Sequence, residues 1–498
     1  MNRLHAGLTV AVAVKAGLSN ALREVLRENN AAPKIIRPDS YLQVTNPGNG
    51  LRADMNPMGI SLPYSAMKLN PPASELICNF DNSPTTLFVS MVMIPAQHYC
   101  GQQLPETLIF ATTYWGKLSG HLQDLFDTNG AGLCRIFQHC DGFPDGTLVN
   151  KESLISYLKS HRHSGAFNSR YTGYTKADIQ QEKEMRAAIE DYLDLLQNTV
   201  DLEQYPADQR AIIVKTLVQR HIKAQVDRFR WIREGTRDSP REFMVKNRVI
   251  IVSVLSIIIS LVVFAIADPA SIGWVLSLML GISIALTISI TRNCWKPVIM
   301  GLLINPILGF IIRKKQLTAA RPPDQKVQAA AASQLRPVIN EMTAAAPLKP
   351  GFLRRHFYWL ALRLVNFGRS QLMNVPTVSS LRWLSIDNKK RLLFLSNYSN
   401  TTDFYVREFL TGNTPRGVNF MFSNGCGFPD AEHMTKGGIS RDPEGYMHVI
   451  HHHQHITDLW YAHDYEITID QIKRNRKIRN GLFKNMNEKE AKRWLKLF

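Results

Sequence analysis

The stretch HVIHHHQHITDLWYAH, residues 448 to 463, places six of the chain's fifteen histidines within sixteen positions. On a helix, His448, His452 and His455 share one face at i, i+4 and i+7, and neutral imidazoles so spaced can bind zinc or nickel. No carboxylate or cysteine completes a zinc spacing around them. The six cysteines, Cys78, Cys100, Cys134, Cys140, Cys294 and Cys426, form no CxxC pair, so neither a disulfide framework nor a cysteine-rich zinc site is indicated. A reducing compartment suits them. There is no G-x-S-x-G elbow, no G-x-G-x-x-G, no P-loop and no CxxCH, which leaves a nucleophilic hydrolase, a nucleotide cofactor and attached haem without support.

The elements that would hold these histidines follow from composition. The chain has 498 residues, 45% hydrophobic and 20% charged, enough for more than one packed core. Its formal net charge of +18 needs a location. Basic residues gather at 201–248, read as a helical juxtamembrane segment, and again in 291–315. Between them lie VIIVSVLSIIISLVVFAIA and IGWVLSLMLGISIALTISI, two uncharged runs separated by DPAS. Each spans roughly 28 Å as a helix, close to a hydrocarbon core of about 30 Å. The expectation is a transmembrane hairpin over 249–290 in the inner membrane, multi-pass, with both soluble parts in the cytoplasm by the positive-inside rule. The shorter run 298–312, broken by Gly301, Pro306 and Gly309, reads as interfacial or re-entrant. Residues 316–350, rich in Ala and Pro, read as a linker. No zinc finger or aromatic RNA-binding signature accompanies the charge, so the partners expected are a lipid bilayer, a hydrophobic small molecule or a protein, with homo-oligomers allowed and nucleic acid excluded.

The soluble parts repeat each other. TLIFATTY (107–114) matches RLLFLSNY (391–398) at Leu108, Phe110 and Tyr114, against Leu392, Phe394 and Tyr398. IFQHCDGFPD (136–145) matches MFSNGCGFPD (421–430) at five positions, ending in a GFPD turn in both. LKSHRHSGAF then aligns with IHHHQHITDL, so that His161 and His163 meet His453 and His455 where a helix passes into a strand. A helix C-terminus favours histidine there, which is a structural reason for the pair. The first copy reads as strand LTVAVAVK, helix LSNALREVLREN, strand TLFVSMVMI, strand TLIFATTY, helix LSGHLQDLFDT and strand LCRIFQHC. That is a β-α-β-β-α-β ferredoxin-like order. The fold class expected is α+β: two ferredoxin-like repeats, 1–200 with an insertion at about 31–75 and 351–498, packed as a pseudo-dimer, plus the two-helix hairpin.

KPGFLRRHFYWL, RLLFLSNYSNTTDFYVREFL, VNFMFSNGCGFPD and ITDLWYAHDYEITIDQIKRNRKIRNGL resemble the C-terminal half of an uncharacterised bacterial family of duplicated dimeric α+β barrel domains, and LTVAVAVKAGLSNALREVL resembles its N-terminal half. The resemblance leaves out the apolar hairpin. It implies kinship with a superfamily of dye-decolorising peroxidases, haem-degrading monooxygenases and polyketide cyclases, so it fixes a fold and no reaction. Where that family has a His-Phe-Ala-Arg strand this chain has SSLRW, keeping Arg382. Where it has an Asn-Tyr-Asp-Gly turn, this chain has Asn397, Tyr398, Ser399 and Asn400.

Two functions follow as expectations. One is a membrane-anchored, cytoplasmic-facing module that binds a hydrophobic ligand, lipid or protein. The other is a haem- or divalent-metal-dependent, peroxidase-like oxidoreductase using histidines of the repeats. Candidate binding residues are His139, His161, His163, Arg382, Asn397, Tyr398, Asn424, His453, His455 and Trp460.

Overall fold

A computed structural model describes residues 5–29, 76–99, 102–144, 150–234, 339–351, 375–410, 414–429, 431–432 and 436–498, with Arg355, Tyr358, Trp359 and Leu362 between them. The first half opens with strand β1 (His5–Ala13) and helix α1 (Ser19–Glu28), whose Leu22 and Leu26 are buried at the i, i+4 spacing of one helical face. Next come β2 (Thr86–Ile94), the small hairpin β3 (Gln97–Tyr99) and β4 (Gln102–Leu104), β5 (Thr107–Trp115), α2 (Leu118–Phe137) and α3 (Lys151–Ser160). Asn150 caps α3 by accepting from the Ser153 backbone N–H. A short β6 (Ala166–Ser169) leads to α4 (Lys176–Thr199), which starts in a Thr175/Asp178 capping box, and to α5 (Arg210–Ala224).

The second half begins at β7 (Ile339–Pro347) and continues with β8 (Val378–Ile386), β9 (Arg391–Ser399), α6 (Thr402–Glu408) and α7 (Thr414–Phe422). The two-residue strands β10 (Ala431–Glu432) and β11 (Lys436–Gly437) precede α8 (Pro443–His453), β12 (Gln454–His455) and β13 (Leu459–Ala462). The chain closes with α9 (Ile469–Leu482) and α10 (Glu488–Leu495).

The two halves share their sheets. One sheet runs β1-β5-β2-β13 and the other β12-β7-β9-β8-β6, with every pairing antiparallel. Segment 454–462 pairs first with its own half, Gln454 against Ala344, and then with the other, Leu459 against Met91. Segment 162–169 does the same: Arg162 bridges Val10, and Ala166 pairs with Trp383. The hydrogen-bonded circuit therefore returns to its start, and each half's last strand completes the other half's sheet. Closing the circuit covers part of the outer edge of β1, β2, β7 and β8.

Side chains alternate along these strands, so each sheet buries two faces. Outward, Leu8, Val10, Phe110 and Phe137 pack under α1–α3 in one core, and Trp383, Phe394, Tyr398 and Phe422 pack under the helices of the second half in another. Inward, Val92, Ile94, Ile109, Leu384, Ile386, Leu393 and Leu395 of the two sheets meet. Each such burial is worth roughly 1.5–3 kcal/mol. A further helical layer, α4, α5, α9 and α10, closes around Trp494, whose indole N–H donates to the Ile478 carbonyl.

Several expectations change. No helix among the described residues is long and apolar enough to cross a membrane. That overturns the transmembrane hairpin and the multi-pass inner-membrane location; residues 249–290 and 298–312 lie outside the described residues, as does the insertion at 31–75. Residues 210–224, within the segment 201–248 expected beside a membrane, pack on α10 through Val218 and Ile222. The expected linker to residue 350 ends early, because Ile339–Pro347 is β7, a strand buried along nearly its whole length. LCRIFQHC is not a strand: Leu133, Ile136 and Phe137 stand on the buried face of α2.

Candidate functional site

The duplication is written in aromatic pairs. Tyr114 stacks on His121 with centroids 4.0 Å apart and planes at 3°, and Tyr398 stacks on Tyr405 at 4.0 Å and 9°. Thr112 hydrogen-bonds His121 Nε2 at 2.8 Å where the Tyr405 hydroxyl donates to Ser396 at 2.7 Å. Both GFPD turns place glycine in the left-handed region, Gly142 at φ 67° and Gly427 at φ 79°, which only glycine adopts freely. Phe143 then meets Tyr157, and Phe428 meets Tyr446, both edge to face. Local packing accounts for the motif in both copies.

Inside the strand circuit the repetition breaks. Registers equate Gly7, opposite Thr113, with Glu341, opposite Asn397. They equate Ser90, opposite Ala111, with Arg382, opposite Leu395. Among the described residues, this end of the interior thus carries one acid and one base, both from the second half. Arg382 is 5% exposed and donates to the Leu8 carbonyl at 2.8 Å, Thr9 Oγ1 at 3.2 Å, the Thr112 carbonyl at 3.1 Å and Thr113 Oγ1 at 2.6 Å. Its guanidinium also stacks over Phe167, 5.2 Å from the ring centroid. All four acceptors are neutral oxygens of the first half.

Glu341 accepts from the Thr343 and Thr457 hydroxyls. Burial pushes its carboxyl up to about 7; the Thr343, Thr457 and Ser90 hydroxyls and the Arg382 charge work against that rise without cancelling it. Asn397 Oδ1 accepts from Ser380 at 2.9 Å, while its amide nitrogen is buried with no hydrogen-bond partner. Phe88, Ser90, Ala111, Thr113, Glu341, Arg382, Leu395, Ser396 and Asn397 line one small pocket. Its free volume of about 10 Å3 is near the least that holds one water molecule.

Next to the pocket stands a layer of neutral rings. Phe88 lies 5.4 Å from Tyr171 and 5.6 Å from His463, and His5 lies 6.3 Å from Tyr171. Burial lowers His5 to about 3 and His463 to about 4.

Of the residues expected from sequence, Arg382 and Asn397 come together here. The others do not. His161 ends α3, its Nδ1 3.0 Å from the Tyr157 carbonyl oxygen, beside an open groove past Gly142 and Pro144. His139 Nδ1 lies 3.2 Å from the Ile136 carbonyl oxygen, and the His163 backbone N–H donates to Thr9. His453 ends α8 with Nε2 3.4 Å from the Cys426 carbonyl oxygen, and burial lowers it to about 3 and His455 to about 4. Tyr398 packs outward and bonds Thr402 at 2.6 Å. Asn424 is buried, its carbonyl accepting from the Lys349 N–H, and Trp460 packs on Tyr465. His448 is exposed, and His455 belongs to β12 rather than α8, so the three-histidine helical face is interrupted. Among the described residues, no three His, Cys, Asp or Glu side chains are grouped to hold a metal ion.

Sequence reasoning missed Glu341, Ser90 and Thr113 as site residues. The signal for Glu341 was a single acid inside NEMTAAAP, at the place where the first repeat has Gly7 in HAGLTVAVA. No family model matches the chain, and neither a curated protein nor a solved structure matches it.

Proposed function

We infer that this chain is a binding protein for a small polar molecule, and that its site is the pocket between Arg382, Glu341 and Asn397. One observation carries this reading: beside the apolar side chains in the middle of the interior, one end holds a buried cation, a carboxyl raised to about 7 and an unpaired amide donor. Buried polar groups without partners are costly, at roughly 1–3 kcal/mol each, and a retained cost of that kind points to a ligand. The lining disfavours the hydrophobic ligand expected from sequence. Its size disfavours a haem, since ligand pockets run to about 300–1,000 Å3.

The strand exchange supports placing the chain with duplicated dimeric α+β barrel proteins, because one chain supplies both partners of the barrel. Duplication also frees the two copies to diverge, and here it lets one site carry an acid and a base that a symmetric dimer would have to carry twice.

The test is thermal unfolding of the full chain with small probes, neutral (formamide, methanol) and ionic (chloride, bromide, ammonium). The reading expects at least one probe to raise the unfolding midpoint of the native chain and not that of Asn397→Leu. Equal responses of both proteins to every probe would overturn it.

A further inference from the structure

We propose that the interior pocket takes one small monovalent anion of halide size, and that the anion enters together with a proton on Glu341. This rests on the binding reading above and names its ligand class. Three independent features of the geometry support it.

First, a buried donor lacks an acceptor. The Asn397 amide nitrogen lies in the pocket wall without an acceptor, on a residue only 6% exposed. Ser90 lines the pocket with its hydroxyl on Glu341, and Arg382 adds its charge, its four Nη hydrogens being directed at oxygens of the first half. An anion accepts from the Asn397 N–H groups and lies beside the Arg382 charge.

Second, the charge is uncompensated. Arg382 bonds four neutral oxygens and, among the described residues, no carboxylate lies within ion-pair distance of it. An isolated buried cation is costly unless an anion joins it. Glu341 is the acid that shares its pocket, and the groups facing that acid are the neutral Ser90, Thr343, Asn397 and Thr457 together with Arg382 itself. With Glu341 protonated the pocket carries one positive charge; with Glu341 ionised it carries none. Anion and proton therefore favour each other's entry, a reciprocity that linkage requires.

Third, the space fits. About 10 Å3 accommodates one water-sized particle, which admits a halide with slight relaxation of the lining and excludes a multi-atom oxyanion such as sulfate. Glu341 is the one residue of the lining that is not fully buried.

The experiment compares chloride and bromide with gluconate at matched ionic strength, because a chain of net charge +18 responds to any added salt. Unfolding midpoints of the full chain are read at pH 6 and pH 8, with proton uptake in weak buffer. Chloride and bromide should raise the midpoint above gluconate, more at pH 6, with proton uptake on binding. The apparent Kd should rise about tenfold per pH unit above pH 7, as one coupled proton requires. Glu341→Gln should keep the halide effect and lose its pH dependence, and the near-isosteric Asn397→Asp should abolish the effect by placing a second carboxylate at the donor. Identical responses to halide and gluconate in the native chain would overturn the proposal without any variant. A halide effect surviving in Asn397→Asp would overturn it too. If formamide or methanol discriminates while halides do not, the pocket remains a ligand site and the anion is wrong.

Discussion

A side-chain carbon added to Gly7 would stand 3.1 Å from the Arg382 guanidinium and 2.8 Å from the Phe167 ring. Gly7 is therefore what allows a long cationic side chain of the second half to cross the interior and bond the first. Gly7→Ala should cost roughly 1–3 kcal/mol by overpacking. The loss should shrink in an Arg382→Met background, where the flexible side chain can withdraw. Urea midpoints for the two single variants and the double variant measure this coupling; strict additivity would mean that Gly7 and Arg382 do not constrain each other.

Gly165 sits where the first half's last strand leaves β1 for β8. A Cβ there would lie 2.1 Å from the Trp383 carbonyl oxygen and 2.9 Å from the Leu384 Cα, backbone that cannot step aside. Gly165→Ala should thus weaken the exchange itself, with a cost above about 3 kcal/mol and loss of a single cooperative transition. Unfolding followed by two probes, tryptophan emission and far-ultraviolet dichroism, checks it; coincident transitions at the native midpoint would refute the assignment of this glycine.

The paired histidines at the two helix ends are local structure in unequal surroundings. His161 is partly exposed and held to the Tyr157 carbonyl, so His161→Gln should cost no more than about 1 kcal/mol. His453 is 6% exposed beside the Cys426 carbonyl, and His453→Gln should cost about 1–3 kcal/mol. Denaturant midpoints decide; an equal and large loss at both positions would assign the pair a shared role that their separate contacts do not provide.

Much of the first copy was legible because period-2 and period-3.6 patterns are local. Thr86–Ile94 and Thr107–Trp115 are short apolar runs buried on both faces, and the aromatic anchors repeat in order. LCRIF misled because so short an apolar run does not by itself separate a strand from a buried helix segment, although Leu133, Ile136 and Phe137 follow the i, i+3, i+4 rule. β7 was hidden by composition: alanines suit a position packed between sheet neighbours and another sheet, yet the same residues read as a tether. The strand exchange had no local signature at all, since Ala166 and Leu459 meet partners more than two hundred residues away. The site inherits that difficulty, for Arg382 and Asn397 lie in recognisable repeats, whereas Glu341 acquires its meaning only when β7 is paired with β9.

Five histidines set the acid response. Burial lowers His5, His121 and His453 to about 3 and His455 and His463 to about 4, from 6.5. The folded state refuses protons that the unfolded chain accepts, so their contribution is complete above about pH 6.5 and is lost as pH falls below it, at about 1.4 kcal/mol per pH unit for each histidine. Glu341, raised to about 7, acts oppositely: its folded form holds a proton that the unfolded chain releases, and stability is lost as pH rises from about 4.5 to 7. Burial also raises Glu182, Asp387 and Asp458, which oppose the histidines toward the acid end of this range. Between pH 6.5 and 5.5 the five histidines outweigh Glu341, and the urea midpoint should fall steeply. His121 is held through its two ring nitrogens by Thr85 and Thr112, so His121→Gln should lower the midpoint at pH 7.5 yet flatten the acid slope. A midpoint unchanged from pH 7.5 to 5.5 would mean that these imidazoles are already protonated in the folded chain, and the neutral ring layer beside the pocket would have to be redrawn.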